Sequence, residues 1–195
     1  GVGGSSTDYT LDLSDHLTDV LSLRLWSIEV PLTYYIIDTA YGNTYFWISD
    51  GNNNIPILLE SGNYTPGTLV VALNAAFTAA GFALFDTTPP VSYNSSNYKI
   101  TMKLMGCQYT PPNSSTTAFT IDIFTELRFF DPTATLQSNN TANPPMLYVN
   151  QTLGWLLGFH NDTGIVPVDA SGNTGDAVLD LNGPRYFILA LDDYN

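Results

Sequence analysis

The sequence predicts an all-β chain, an antiparallel β-sandwich, and three observations carry that reading. Short segments rich in Val, Ile, Tyr, Phe and Trp recur along the chain. Pro, Asn and Gly turns separate them, and only one long segment follows helical spacing. With 195 residues, 44% of them hydrophobic, the chain can bury a sizeable core. One domain over residues 8–195 is expected, after a flexible Gly/Ser lead-in at residues 1–7.

The first strand is expected at Asp8 to Ser14, where Tyr9, Leu11 and Leu13 share one side. In "DVLSLRLWSIEVPL" both parities are largely apolar, which predicts a strand covered on both faces and ended by Pro31. Two hairpins follow. One joins "TYYIID" to "TYFWIS" through Tyr41-Gly42-Asn43, and one joins "TYFWIS" to "IPILLE" through Asp50-Gly51-Asn52. "DGNNN" with Glu60 departs from a calcium loop, because Ile55 stands where the loop needs its glycine and the acid arrives one residue early.

The helix is "GNYTPGTLVVALNAAFTAAGF". Thr65 is the expected N-cap, Pro66 the first helical residue and Gly81 the closing glycine. Leu69, Leu73, Ala76, Phe77 and Ala80 recur at three and four residues, so Leu69, Leu73 and Phe77 are expected to pack on the sheets and cap one end of the sandwich. Beyond it come "ALFDT", a hairpin about Asn94 to Asn97, "AFTIDIF", "LRFF", the amphipathic "NQTLGWLLGF" and a closing strand, "GPRYFILALDDY". About eight strands with one or two short helical insertions favour a single jelly roll, in which closing strands pair with early ones.

Charge narrows the function. Five Lys and Arg against 18 Asp and Glu give a net charge of -13, the wrong sign for direct nucleic-acid binding or for an anionic membrane surface. No apolar run is long enough for a membrane anchor. Charged residues make up only 12%, so polarity rests on Asn, Thr, Ser and Gln, as suits a surface that packs against other proteins. Cys107 is the lone cysteine and is read as a small buried hydrophobe, in a reducing compartment. Sequons at Asn63, Asn94, Asn113, Asn139, Asn150 and Asn161 are read as chance matches. The start without Met and the stop after a strand-like run suggest a portion of a longer or processed polypeptide.

No enzyme is expected, and neither catalytic residues, cofactor nor metal is assigned. Compact nucleophile, phosphate and zinc motifs are missing from the sequence. His16 reads as a surface residue and His160 as a turn residue. Asp12, Asp15 and Asp19, Asp176 and Asp180, and Asp192 and Asp193 are the acid neighbours a glycosidase would draw on, but 18 acids produce such neighbours by chance. Trp26, Trp47 and Trp155 leave open a carbohydrate-binding or host-attachment module on the same sandwich.

Four stretches, "RLWSIEVPLTYYIID", "YFWISDGNNNIPILLESGNYTPGTLVVALNAAF", "TLGWLLGF" and "GPRYFILALDDYN", resemble in that order landmarks of capsid proteins from large icosahedral double-stranded DNA viruses of algae and protists. The resemblance implies a non-enzymatic structural virion protein with a single jelly roll, either a penton subunit or a minor capsid protein. It implies other capsid proteins as partners, self-association (a pentamer for a penton), and a place in the virion after assembly in the host cell. The major capsid proteins of these viruses resemble two jelly rolls in tandem, for which 195 residues is short.

Overall fold

The computed structural model describes residues 34–84, 88–104, 107–112, 119–120, 124–130 and 149–183, with scattered positions between 18 and 29. The chain divides into two units, Gly1–Thr33 and Tyr34–Asn195. The division therefore falls at Thr33, whereas composition alone sets off only the first seven residues. In the first unit the described positions are exposed, Leu21 and Trp26 included, and lie in no strand. The strands expected at 8–14 and in "GPRYFILALDDY", together with Leu23, Leu25, Ile28, Val30 and Pro31, lie outside the described residues.

Along the second unit run Tyr45–Ser49 (β1), Asn54–Leu58 (β2), Pro66–Ala79 (α1), Phe82–Leu84 (β3), Val91–Asn94 (β4), Lys99–Met102 (β5) and Cys107–Tyr109 (β6). Phe119–Thr120 (β7), Glu126–Arg128 (β8), Leu153–Leu156 (α2), Ile165–Pro167 (β9) and Asn173–Thr174 (β10) follow. The described strands pair antiparallel throughout, in three sheets ordered β2-β1-β8-β9, β10-β5-β4 and β3-β6-β7. The all-β, antiparallel class is thus the observed one.

Register follows burial. Ile48 faces Ile55 on one side and Leu127 on the other, and Leu127 faces Val166, so one apolar row crosses all four strands of the largest sheet. A one-residue slip would turn that row away from the core. The hairpin between β1 and β2 is set by Asp50, whose carboxylate accepts the backbone N–H of Asn52 at 2.7 Å and the Asn53 side-chain amide at 2.8 Å. The Leu59 N–H donates to the Thr44 carbonyl at 2.7 Å, which fixes the phase of pairing. Pro56, three residues away, therefore turns its missing donor away from β1, on the side of β2 that is the sheet's edge among the described residues, where proline costs no bond to β1.

"TYYIID" departs from expectation. Instead of a strand, Tyr34 to Asp38 makes a single bridge, Ile37 with Gly62, and runs into a 3-10 turn at Thr39–Tyr41. Side-chain amides hold the segment. The Asn63 amide accepts from the Ile36 N–H at 2.8 Å and donates to the Tyr34 carbonyl, while Asn43 accepts from the Asp38 N–H at 2.7 Å and donates to the Ile36 carbonyl at 2.9 Å. An asparagine amide presents the same donor and acceptor as a peptide group, so it bonds an extended backbone in the way a strand would.

Helix α1 begins at the N-cap Thr65, whose hydroxyl accepts from the Thr68 N–H, and the Thr68 hydroxyl accepts from the Thr65 N–H in return. Pro66 opens the helix, Ala80 is the C-cap, and Gly81 follows with φ of +102°. A Cβ at Gly81 would come within 2.2 Å of the Thr110 carbonyl oxygen, so both the turn and the close approach require glycine. Leu69, Leu73 and Phe77 are buried at 0%, 0% and 1% exposure. The helix touches β2, β3 and β4, which are edge strands of the three different sheets. Thus it closes the gap where three sheet edges meet.

The core is continuous through aromatic rings. Phe159 stacks on Phe129 at 5.3 Å, Phe129 meets Phe46, Phe46 meets Phe77, and Phe77 meets Phe82, which reaches Phe124 and Tyr109. This row joins the α2 region, the four-stranded sheet, α1 and the β3-β6-β7 sheet in one cluster.

Candidate functional site

Among the described residues no group of three His, Cys, Asp or Glu could hold a metal ion, and no helix is long and apolar enough to cross a membrane. Acids are instead spent on turns. The Asp50 carboxyl is held below its ordinary range chiefly by the Asn53 backbone N–H, and that of Asp38 by the Ala40 N–H. Asp169 is lowered by Ser171, and Asp176 by the His160 backbone N–H it accepts at 2.9 Å. Asp180 accepts from the backbone and side-chain nitrogens of Asn182. Of Asp176 and Asp180, one pair considered for glycoside hydrolysis, the first ties its segment to His160, sixteen residues away, and the second serves a local turn. Asp12, Asp15, Asp192, Asp193 and His16 lie outside the described residues, and Asp19 is exposed in the first unit.

The aromatic candidates are occupied differently from one another. Trp47 is buried at 5% exposure, inside β1. Trp155 has one ring face covered by His160, at 3.9 Å and 14° between planes. Trp26 is 98% exposed in the first unit. A sugar-stacking platform needs an open ring face; Trp47 has none, and Trp155 gives up one of its two. Two of the sequons also have structural work: the Asn63 amide holds Tyr34 to Ile36, and the Asn161 amide donates to the Ile165 carbonyl while accepting from the Thr163 N–H. Cys107 falls in β6.

What remains is a surface. The outer positions of α1, Gly67, Thr68, Val71, Ala75, Thr78 and Ala79, are exposed, and Val71 is 70% so. None carries a charge, in a chain whose net charge is -13. A solvent-facing helix normally carries its charged residues there. Beside it a cleft of about 320 Å³ runs between the C-terminal end of α1 and β2, the edge strand of its sheet among the described residues, lined by Ala76, Ala79 and Ala80, by Pro56 and Leu58, and by Tyr109. Leu58 is 51% exposed. Burial raises the Tyr109 hydroxyl above its ordinary pKa, and no Asp, Glu, Lys, Arg or His lines the cleft.

Comparison with known protein families, with curated proteins and with solved structures finds no match for this chain. The function therefore rests on the residues themselves. The helix was legible in the sequence through its caps and apolar stripe. Its uncharged outer face was legible too, since the segment holds no charged residue. The cleft was not, because it needs β2, β6 and α1 brought together across more than 50 positions.

Proposed function

We propose that this chain is a non-enzymatic structural subunit of an icosahedral virion, a single jelly roll serving as a penton or minor capsid component. The observation that carries the reading is the uncharged outer face of α1 together with its apolar cleft, on a chain of net charge -13. Copies so acidic repel one another, and a neutral apolar face adds no buried like charges to that repulsion, so contact with another subunit costs least there. The antiparallel sheets and the order of the sequence landmarks support the same reading. Helix α1 lies between β2 and β3, and the "TLGWLLGF" element packs on Phe129, with Gly154 and Phe159 both against that ring.

The test is the native mass of the purified chain over a range of concentrations. Integer multiples of 21.3 kDa are expected, five copies for a penton. A 21.3 kDa monomer at every concentration would remove the proposal. The same protein on a glycan array is expected to bind no sugar specifically.

A further inference from the structure

We propose that the exposed stretch around Arg24 is a proteolytic processing site, at which a trypsin-like endoprotease cuts after Arg24, removing residues 1–24 and leaving the second unit folded. Such processing goes beyond the structural-subunit reading and does not depend on it. The described residues of this stretch, Ser22, Arg24, Trp26 and Ser27, are all exposed, as are positions 18–21 before them and Glu29 after them. Leu21 is 100% exposed and Trp26 98%. None of these described residues lies in a strand or helix, and no hydrogen bond, ion pair or ring contact holds any of them. An endoprotease takes its substrate as an extended strand, bonding main-chain N–H and C=O groups on both sides of the bond it cuts. A main chain with those groups already paired has to open first, whereas this stretch has nothing to give up.

Charge selects the class of enzyme. A trypsin-like specificity pocket carries a carboxylate, which pairs with a guanidinium or an ammonium group. The chain holds only five Lys and Arg. Lys99 and Arg128 lie in β5 and β8, each of which has a neighbouring strand on both sides. The Lys103 N–H donates to the Pro90 carbonyl at 2.7 Å. Arg185 lies outside the described residues. Arg24 is thus the one described basic residue whose main chain is both exposed and unbonded. The step is a hydrolysis: water adds across the Arg24–Leu25 peptide bond, its C–N bond breaks, and the new ends are a carboxylate on Arg24 and an ammonium group on Leu25. The second unit keeps what folds it, because among the described residues every member of the core cluster lies at Ile37 or beyond, and the division between units falls at Thr33.

Limited trypsin digestion of the native chain, read by intact mass and N-terminal sequencing, tests this. The first product is expected to begin at Leu25 and to persist while the other basic sites stay uncut. Arg24→Gln removes the guanidinium at a position with no partner to lose, and it should slow the first cut by roughly tenfold or more. The purified product should keep the parent's Tm and its near-ultraviolet circular dichroism. A first cut after Lys99, Lys103, Arg128 or Arg185 overturns the inference. So does a native chain that is not cut at all, or an Arg24→Gln chain cut as fast as the parent. A product that begins at Leu25 but has lost the cooperative melt of the parent overturns the claim that the second unit stands without residues 1–24.

Discussion

Removal of the Asn74 side chain should weaken this fold measurably. It lies on α1, and its side-chain oxygen accepts from the Val91 N–H at 3.0 Å while its nitrogen donates to the Val91 carbonyl at 3.0 Å and to the Val70 carbonyl at 2.9 Å. The helix thereby pairs with the edge of β4 as a neighbouring strand would. Val91 is 1% exposed, so Asn74→Ala leaves a buried N–H and C=O without these partners. At about 1–2 kcal/mol for each group, the loss is about 2–4 kcal/mol. Alanine's better helix propensity returns about 0.6 kcal/mol, so a net loss of about 1.5–3.5 kcal/mol is expected. Urea unfolding followed by circular dichroism would read it, and thermal unfolding should show a fall in Tm of roughly 3–14 °C for a chain of this length. Hydrogen exchange at the Val91 amide should accelerate. Thr78→Ala, which removes an exposed hydroxyl bonded to the Asn74 carbonyl, should stay within about 0.5 kcal/mol of the parent. An Asn74→Ala protein as stable as Thr78→Ala, with Val91 exchange unchanged, would refute the reasoning.

Two further changes probe other parts of the fold. Gly154→Ala would set a Cβ within 2.1 Å of the buried Phe129 ring, and overpacking of this kind should cost about 1–3 kcal/mol, visible as a lower urea midpoint and as altered near-ultraviolet circular dichroism of the aromatic row. Asp50 has a folded-state pKa below its model-compound value of 3.8, so its turn contributes stability above about pH 4 and loses it as pH falls through the lower folded value. Asp50→Ala should therefore melt below the parent at pH 7, with the gap closing toward pH 3; a gap that widened on acidification would contradict the assignment.

The parts of the fold that were legible in the sequence share a cause. The β1-β2 hairpin and α1 are specified locally, by alternation, by Asp50-Gly51 and by the Thr65-Pro66 cap, and local signals need no knowledge of the rest of the chain. The misread segment, Tyr34 to Asp38, has the composition of a strand, but Asn43 and Asn63 take the place of its partners, and composition does not distinguish a ladder from a pair of side-chain amides. β9 and β10 escaped notice because they are three and two residues long, and because β9 ends in Pro167. Asn173 also stands in for a strand there, accepting from the Asp169 N–H and donating to the Pro167 carbonyl. The abundance of asparagine, first read as surface polarity, thus serves in part to complete backbone pairing inside the fold. The candidate surface was half legible: its lack of charge can be read along one helix, whereas the cleft depends on residues far apart in sequence.

Electron cryomicroscopy of the assembled protein addresses the central claim most directly. A closed oligomer of antiparallel β subunits, with the Val71 side of α1 and the cleft beside β2 buried at a subunit boundary, is the expected map. A lone subunit, or an assembly in which that side of α1 faces only solvent, would contradict it.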